Sequence, residues 1–174
     1  MRKICFLDLD GVLIPTTFHA FLEQWGRISK GGVALADEYM DFFAPHCVHN
    51  IRSLLSQTGA GIVFTTNRRT ETDLARMWAH RYDPDVVVLG NTPKLDNKNF
   101  TRGDEISRWL AEYQEPVSSY VIIDDMGPTN FHPAQHKHLV VCDERFGFTK
   151  QELAQALKVL AGRELWRSGN NHLI

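Results

Sequence analysis

Asp8-Leu9-Asp10-Gly11-Val12 directly follows a short apolar run at residues 4–7. In an extended segment, carboxylates two residues apart point the same way. Held close without a counter-charge they repel, and one must take up a proton. A divalent cation relieves that repulsion, and ligands that are all oxygen suit Mg²⁺. The bland alternative, a solvated turn, leaves an unexplained pair of acids at the end of a buried segment. Gly11 permits a sharp departure of the chain. A second apolar run, residues 62–64, leads into Thr65-Thr66-Asn67-Arg68-Arg69. Hydroxyls, an amide and guanidinium groups at that point suit phosphoryl oxygens. A third run, 120–123, ends in a second acidic pair, Asp124-Asp125, which taken alone is as good a helix cap as a metal site. Upstream of it, Arg102 falls in the first turn of a helix, and Lys94 and Lys98 in the loop before that helix.

These groups are useful only if the fold brings them together. Five apolar, β-branched runs read as buried strands: residues 4–7, 62–64, 86–89, 120–123 and 139–142. Helical spacing fills the intervals. Val48, Ile51, Leu54 and Leu55 share a face, with Gly59 placed to end that helix. Thr70 with Asp73, Thr101 with Asp104 and Thr149 with Glu152 each put a hydroxyl at a helix start and a carboxylate three residues on. Continuous apolar strands alternating with helices predict an α/β fold: a three-layer, Rossmann-like, doubly wound and mainly parallel sheet of about five strands. In such folds ligands bind beyond the carboxyl ends of the strands. Every chemistry-bearing cluster above lies at such an end.

Composition narrows the class. The chain has 174 residues, one ordinary domain's length, so it is read as a single domain over 1–174. A formal charge of −2 argues against non-specific nucleic-acid binding through a basic surface. Cys5, Cys47 and Cys142 make no disulfide framework, which suits the cytoplasm. No apolar run approaches the roughly 18 residues a membrane span needs. Asp8 and Asp10 interrupt the first apolar stretch too early for a signal peptide.

The first motif, Asp-x-Asp-Gly-Val after an N-terminal apolar strand, with Thr66, Arg102 and Asp124-Asp125 in order at later strand ends, resembles the haloacid dehalogenase (HAD) superfamily. The likeness covers roughly residues 3–160. Gly147-Phe148-Thr149 opening the last helix is similar to small single-domain members, some of them phosphatase modules of RNA-repair proteins. The resemblance implies a Mg²⁺-dependent phosphomonoester hydrolase that works through an aspartyl-phosphate. It makes Asp8 the nucleophile and Asp10 the general acid and base. Thr66 would bind the phosphoryl group, with Thr65 as the alternative, and Asn67 and Arg68 would help bind substrate. The metal would be held by Asp8, Asp10 (through its carbonyl), Asp124 and Asp125. The third motif is usually Lys; Arg102 stands there, with Lys98 as the other candidate.

Between Thr66 and Arg102 there is no room for a large cap. The stretch of about 14–43 holds only a small flap, so the resemblance implies an open site for a phosphorylated small molecule or macromolecular end. A second copy of the chain is a candidate lid. The alternatives are a nucleic-acid end phosphatase, a phosphotransferase and a catalytically silent binding module.

Overall fold

The computed structural model describes residues 1–28, 42–95 and 100–162. The elements run β1 (Arg2–Leu7), α1 (Thr16–Gln24), α2 (Pro45–Thr58), β2 (Gly61–Phe64), α3 (Leu74–Arg81), β3 (Val88–Asn91), α4 (Arg102–Glu112), β4 (Val117–Asp124), β5 (Leu139–Val141) and α5 (Lys150–Leu160). Short 3₁₀ turns at Asn67–Thr70, Pro128–Asn130 and Pro133–His138 complete the connections. Among the described residues no helix is long and apolar enough to cross a membrane.

The strands form one sheet in the order β3-β2-β1-β4-β5, parallel throughout. Alternation along each strand divides the apolar residues between two cores. Cys5, Leu7, Ile62, Phe64, Val121 and Ile123 face Ile51, Leu54, Trp78 and Val159 of α2, α3 and α5. Ile4, Phe6, Val63 and Ile122 face Ile106 of α4, with Trp109 packed edge-on to Phe6. Helices thus cover both faces, as the continuous apolar strands require.

The chain travels from β1 outward to β3, then returns across the sheet to β4 on the far side of β1. The direction of winding therefore reverses between β1 and β4. That reversal opens a crevice at the strands' carboxyl ends. Asp8 follows the last residue of β1, and Asp124 is the last residue of β4.

Several expected signals act as read. Gly59 takes the left-handed conformation that ends α2 (φ 67°). The Thr101–Asp104 and Thr149–Glu152 capping boxes are both complete. Thr70 is different. It closes the 3₁₀ turn, and Asp73 itself caps α3 by accepting from the Arg76 N–H. The third strand runs Val88–Asn91 rather than over residues 86–89, and its pairing register with β2 shifts between Ile62 and Val63. The expected flap begins with Ile14 bridged to Asp10, followed by α1. Its remainder, residues 29–41, lies outside the described residues, as does Lys98.

Candidate active site

Alternation that sorts the cores also aims the polar groups. Asp8 continues the Ile4–Phe6 face of β1, and Asp124 continues the Ile122 face of β4. Both therefore point toward the layer of α4. The ladder holds them there: the Asp8 N–H donates to the Ile123 carbonyl at 3.0 Å. After Asp8 the chain folds tightly back. The Leu9 carbonyl accepts from the N–H groups of Leu13 and Ile14 at 2.8 and 2.9 Å. Gly11 turns at φ 70°, and a Cβ there would lie 2.5 Å from Asp125 Oδ2. The first acidic loop thus rests directly on the second, and Gly11 is what allows that approach.

Asp8, Asp124 and Asp125 can each offer an oxygen so that all three lie within 4.8 Å of one another. Asp8 and Asp124 are buried and Asp125 half-buried. Arg102, the first residue of α4, reaches in from above, itself only 7% exposed. Its Nη1 lies 3.8 Å from Asp8 Oδ1 and its Nε 3.7 Å from Asp124 Oδ2. These are ion pairs without hydrogen bonds. Asp124 Oδ1 accepts from the Met126 N–H at 3.0 Å. Asp124 Oδ2 and Arg102 Nη1 have no hydrogen-bond partner among the described residues.

One guanidinium does not neutralise three carboxylates. Burial pushes the Asp8 carboxyl above the ordinary carboxylate range, with Arg102 opposing. Burial, then the charge of Asp8, pushes Asp124 up as well, again against Arg102. Asp125 is raised chiefly by burial. An acidic cluster with an orphaned buried oxygen and an all-oxygen donor set fits a hard divalent cation such as Mg²⁺.

Asp10 stands outside that cluster. Its carboxylate is forked by Arg68, whose Nε lies 3.0 and 2.7 Å from the two oxygens, while Arg68 Nη1 reaches Glu71 at 3.2 Å. The side chain of Asp10 is thus engaged elsewhere, and only its backbone carbonyl is left for a cation. Thr65 and Thr66 are both fully buried. The Thr65 N–H donates to the Leu7 carbonyl at 2.9 Å, so β2's alternation runs on through it and carries Thr65 to the face of Val63 and Asp8. Its Oγ1 has no hydrogen-bond partner among the described residues. The Thr66 hydroxyl caps the 3₁₀ turn by accepting from the Arg68 N–H, and its own proton is left to donate. Asn67 is exposed on that turn.

Arg69, read with Arg68 as a guanidinium for phosphoryl oxygens, and Gln135, which the sequence did not single out, hold this arrangement instead. Arg69 is buried, and its Nη2 forks Glu105 of α4 at 2.8 and 2.9 Å while Nη1 donates to the Thr92 carbonyl at 3.1 Å. Gln135, buried after β4, bonds to the first turn of α4. A 3₁₀ turn separates the directions of adjacent residues, so Arg68 and Arg69 serve different neighbours; a linear Arg-Arg pair carries no such signal.

A family model described as the HAD domain in Swiss Army Knife RNA repair proteins matches residues 4–153. No curated protein and no solved structure matches the chain.

Proposed function

Because the chain belongs to the HAD domain family of Swiss Army Knife RNA repair proteins, we propose that it is a Mg²⁺-dependent phosphatase acting on phosphomonoesters, including the phosphorylated end of a nucleic-acid strand. The observation that carries this reading is the gathering of Asp8, Asp124, Asp125 and Arg102 in the crevice where the sheet reverses its winding.

In this reading an Asp8 oxygen attacks phosphorus in line with the ester oxygen. The Asp8 O–P bond forms as the ester P–O bond breaks, and the leaving oxygen takes a proton from Asp10. Water then attacks the aspartyl-phosphate, gives its proton to Asp10, and frees Asp8 and inorganic phosphate. Arg102 places a fixed positive charge beside the nucleophile, where charge on the phosphoryl oxygens develops. The Thr65 hydroxyl, on the face of Asp8, donates to a phosphoryl oxygen; the Thr66 hydroxyl, which accepts from Arg68, is the second candidate donor. Arg68 holds both oxygens of Asp10. Asp10 can serve as an acid only after Arg68 releases one of them, so Arg68 passes to the incoming phosphoryl group as the cycle begins. Mg²⁺ would be held by Asp8, Asp124, Asp125 and the Asp10 carbonyl, and would supply positive charge that offsets the charge of the phosphoryl oxygens.

The whole chain, 1–174, is taken as one catalytic unit whose flap at about 14–43 follows the first acidic loop. Its three cysteines are free and buried, which suits work in the cytoplasm. The test is phosphate release from sugar phosphates, nucleotides, a phosphotyrosine peptide and 3′- and 5′-phosphorylated oligonucleotides, with and without Mg²⁺. Turnover should require Mg²⁺ and vanish in Asp8→Asn. A folded, Mg²⁺-binding protein that releases phosphate from none of them would refute the reading.

A further inference from the structure

We propose that Gln135 is a positioning residue for Arg102: it fastens the chain that follows the second acidic pair to the first turn of α4, and so keeps the guanidinium between Asp8 and Asp124. The inference rests on the catalytic role given to Arg102 above.

Arg102 does not fix its own position. Its two contacts with the carboxylates are ion pairs of 3.8 and 3.7 Å, and its Nη1 makes no hydrogen bond among the described residues. A long, rotatable side chain held so loosely is placed by the backbone that carries it. That backbone is the N-terminus of α4, and Gln135 grips it.

Gln135 is only 4% exposed. Its amide nitrogen donates to the Gly103 carbonyl at 3.0 Å and to Ser107 Oγ at 3.1 Å. Its amide oxygen accepts from the His132 N–H at 3.0 Å. One buried side chain therefore ties the residue after Arg102, the next turn of the helix and the loop beyond Asp125. Gly103 is pressed against this strap: a Cβ there would lie 2.6 Å from Gln135 Oε1, 2.8 Å from His132 N and 2.9 Å from Phe131 Cα. His132 Nε2 adds a contact of 3.0 Å to Asp104 of the same turn.

A plain structural role explains less. The α4 N-terminus is already completed by its own capping box, with the Thr101 N–H and hydroxyl at 2.6 and 2.8 Å from Asp104 Oδ2. The helix needs no help to begin. What Gln135 adds is the location of that first turn relative to Asp124 and Asp125. Buried hydrogen bonds behind a reacting group act in this way.

The test compares Gln135→Met, which fills similar space without the hydrogen bonds, with the parent, each also in an Arg102→Met background. Ser107→Ala removes a single bond and serves if Gln135→Met does not fold. With p-nitrophenyl phosphate and Mg²⁺, Gln135→Met should lower kcat by about tenfold to a hundredfold, the cost of a small misplacement, while KM stays within about twofold. In the Arg102→Met background the same change should alter the residual kcat by less than about twofold, because coupled residues are not additive. Equal losses in both backgrounds, or no loss in the parent, would overturn the proposal. A second readout needs no turnover: proton exchange of the Arg102 Nε–H, assigned by its absence in Arg102→Met. Gln135→Met should speed that exchange without unfolding the protein, and unchanged exchange overturns the proposal. If the parent hydrolyses no ester, the phosphatase reading falls, and the exchange measurement alone decides whether Gln135 positions Arg102.

Discussion

Replacing Asp124 by Asn should stabilise the metal-free protein while abolishing its response to Mg²⁺. Asn keeps Oδ1 to accept from the Met126 N–H, now at 3.0 Å, so the change is mainly one of charge. The variant loses attraction to Arg102, whose Nε lies 3.7 Å from Asp124 Oδ2; at an effective dielectric of about 20 this is about 4 kcal/mol. It also loses two repulsions, because Asp8 and Asp125 each offer an oxygen within 4.8 Å. On the same scale each repulsion is at least about 3 kcal/mol. The two together exceed the attraction by about 2 kcal/mol, and relief from burying the charge adds to that gain. For a chain of this length, about 2 kcal/mol corresponds to roughly 4–8 °C in the unfolding midpoint.

The pH dependence has a definite sign. Asp124 is held up at about 7 in the folded protein, by burial and then by the charge of Asp8, against 3.8 as the ordinary value. Between those values the folded state binds the extra proton. The parent's metal-free stability therefore falls as pH rises through about 7 and is recovered as pH drops toward the ordinary carboxylate range. The advantage of Asp124→Asn should be largest in EDTA above neutrality and shrink on acidification. In Mg²⁺ the parent's midpoint should rise while the variant's stays fixed. Thermal unfolding in EDTA and in Mg²⁺ across pH measures all of this. An Asp124→Asn protein that melts below the parent in EDTA above neutral pH would refute the claim that the cluster is under electrostatic stress.

Two further substitutions probe how the site is built. Gly11→Ala forces a side chain onto a backbone with φ 70° and sets its Cβ 2.5 Å from Asp125 Oδ2; the conformation alone costs about 1–2 kcal/mol. Calorimetric titration should show Mg²⁺ affinity weakened as Asp125 is displaced, and parent-like affinity would show that the two acidic loops do not depend on this contact. Arg69→Met strands Glu105, which Arg69 now forks at 2.8 and 2.9 Å, and breaking such a buried pair costs about 3–5 kcal/mol. The melting point should fall by roughly 6–20 °C, Arg69→Lys should fail to restore the planar fork, and a drop of under about 2 °C would mean that Glu105 is hydrated rather than dependent on Arg69.

The sheet was legible in the sequence because buried parallel strands leave unbroken apolar runs, and the acids that interrupt them mark the strand ends. Asp8 and Asp124 were readable for that reason: each is the first charge after a buried run. Arg102 was readable from its place just after a complete capping signal at Thr101. Thr70 misled because Asp73, the carboxylate of its apparent capping pair, is itself a cap former and caps α3 directly. Which face Thr65 and Thr66 each take depends on where β2's alternation stops. The Thr65 N–H still joins the ladder to Leu7, which sets the orientation that no propensity encodes.

Arg68, Arg69 and Gln135 mark the boundary of what linear sequence carries. Arg68 and Arg69 are chemically identical and adjacent, yet one grips Asp10 and the other is buried against Thr92 and Glu105. The 3₁₀ turn at Asn67–Thr70, capped by Thr66, separates them. Gln135 stands ten residues or so beyond the acidic pair, in a segment with no motif around it. Its partners, Gly103 and Ser107, come from another layer of the fold. Reacting groups must lie where the fold opens, so strand ends announce them. The groups that hold them in place answer to three-dimensional neighbours, which the pattern of residues along the chain does not contain. The site's charge pattern follows the same division: three acids gather by topology, and the single guanidinium that tempers them is set by a strap bonded to the residue after it.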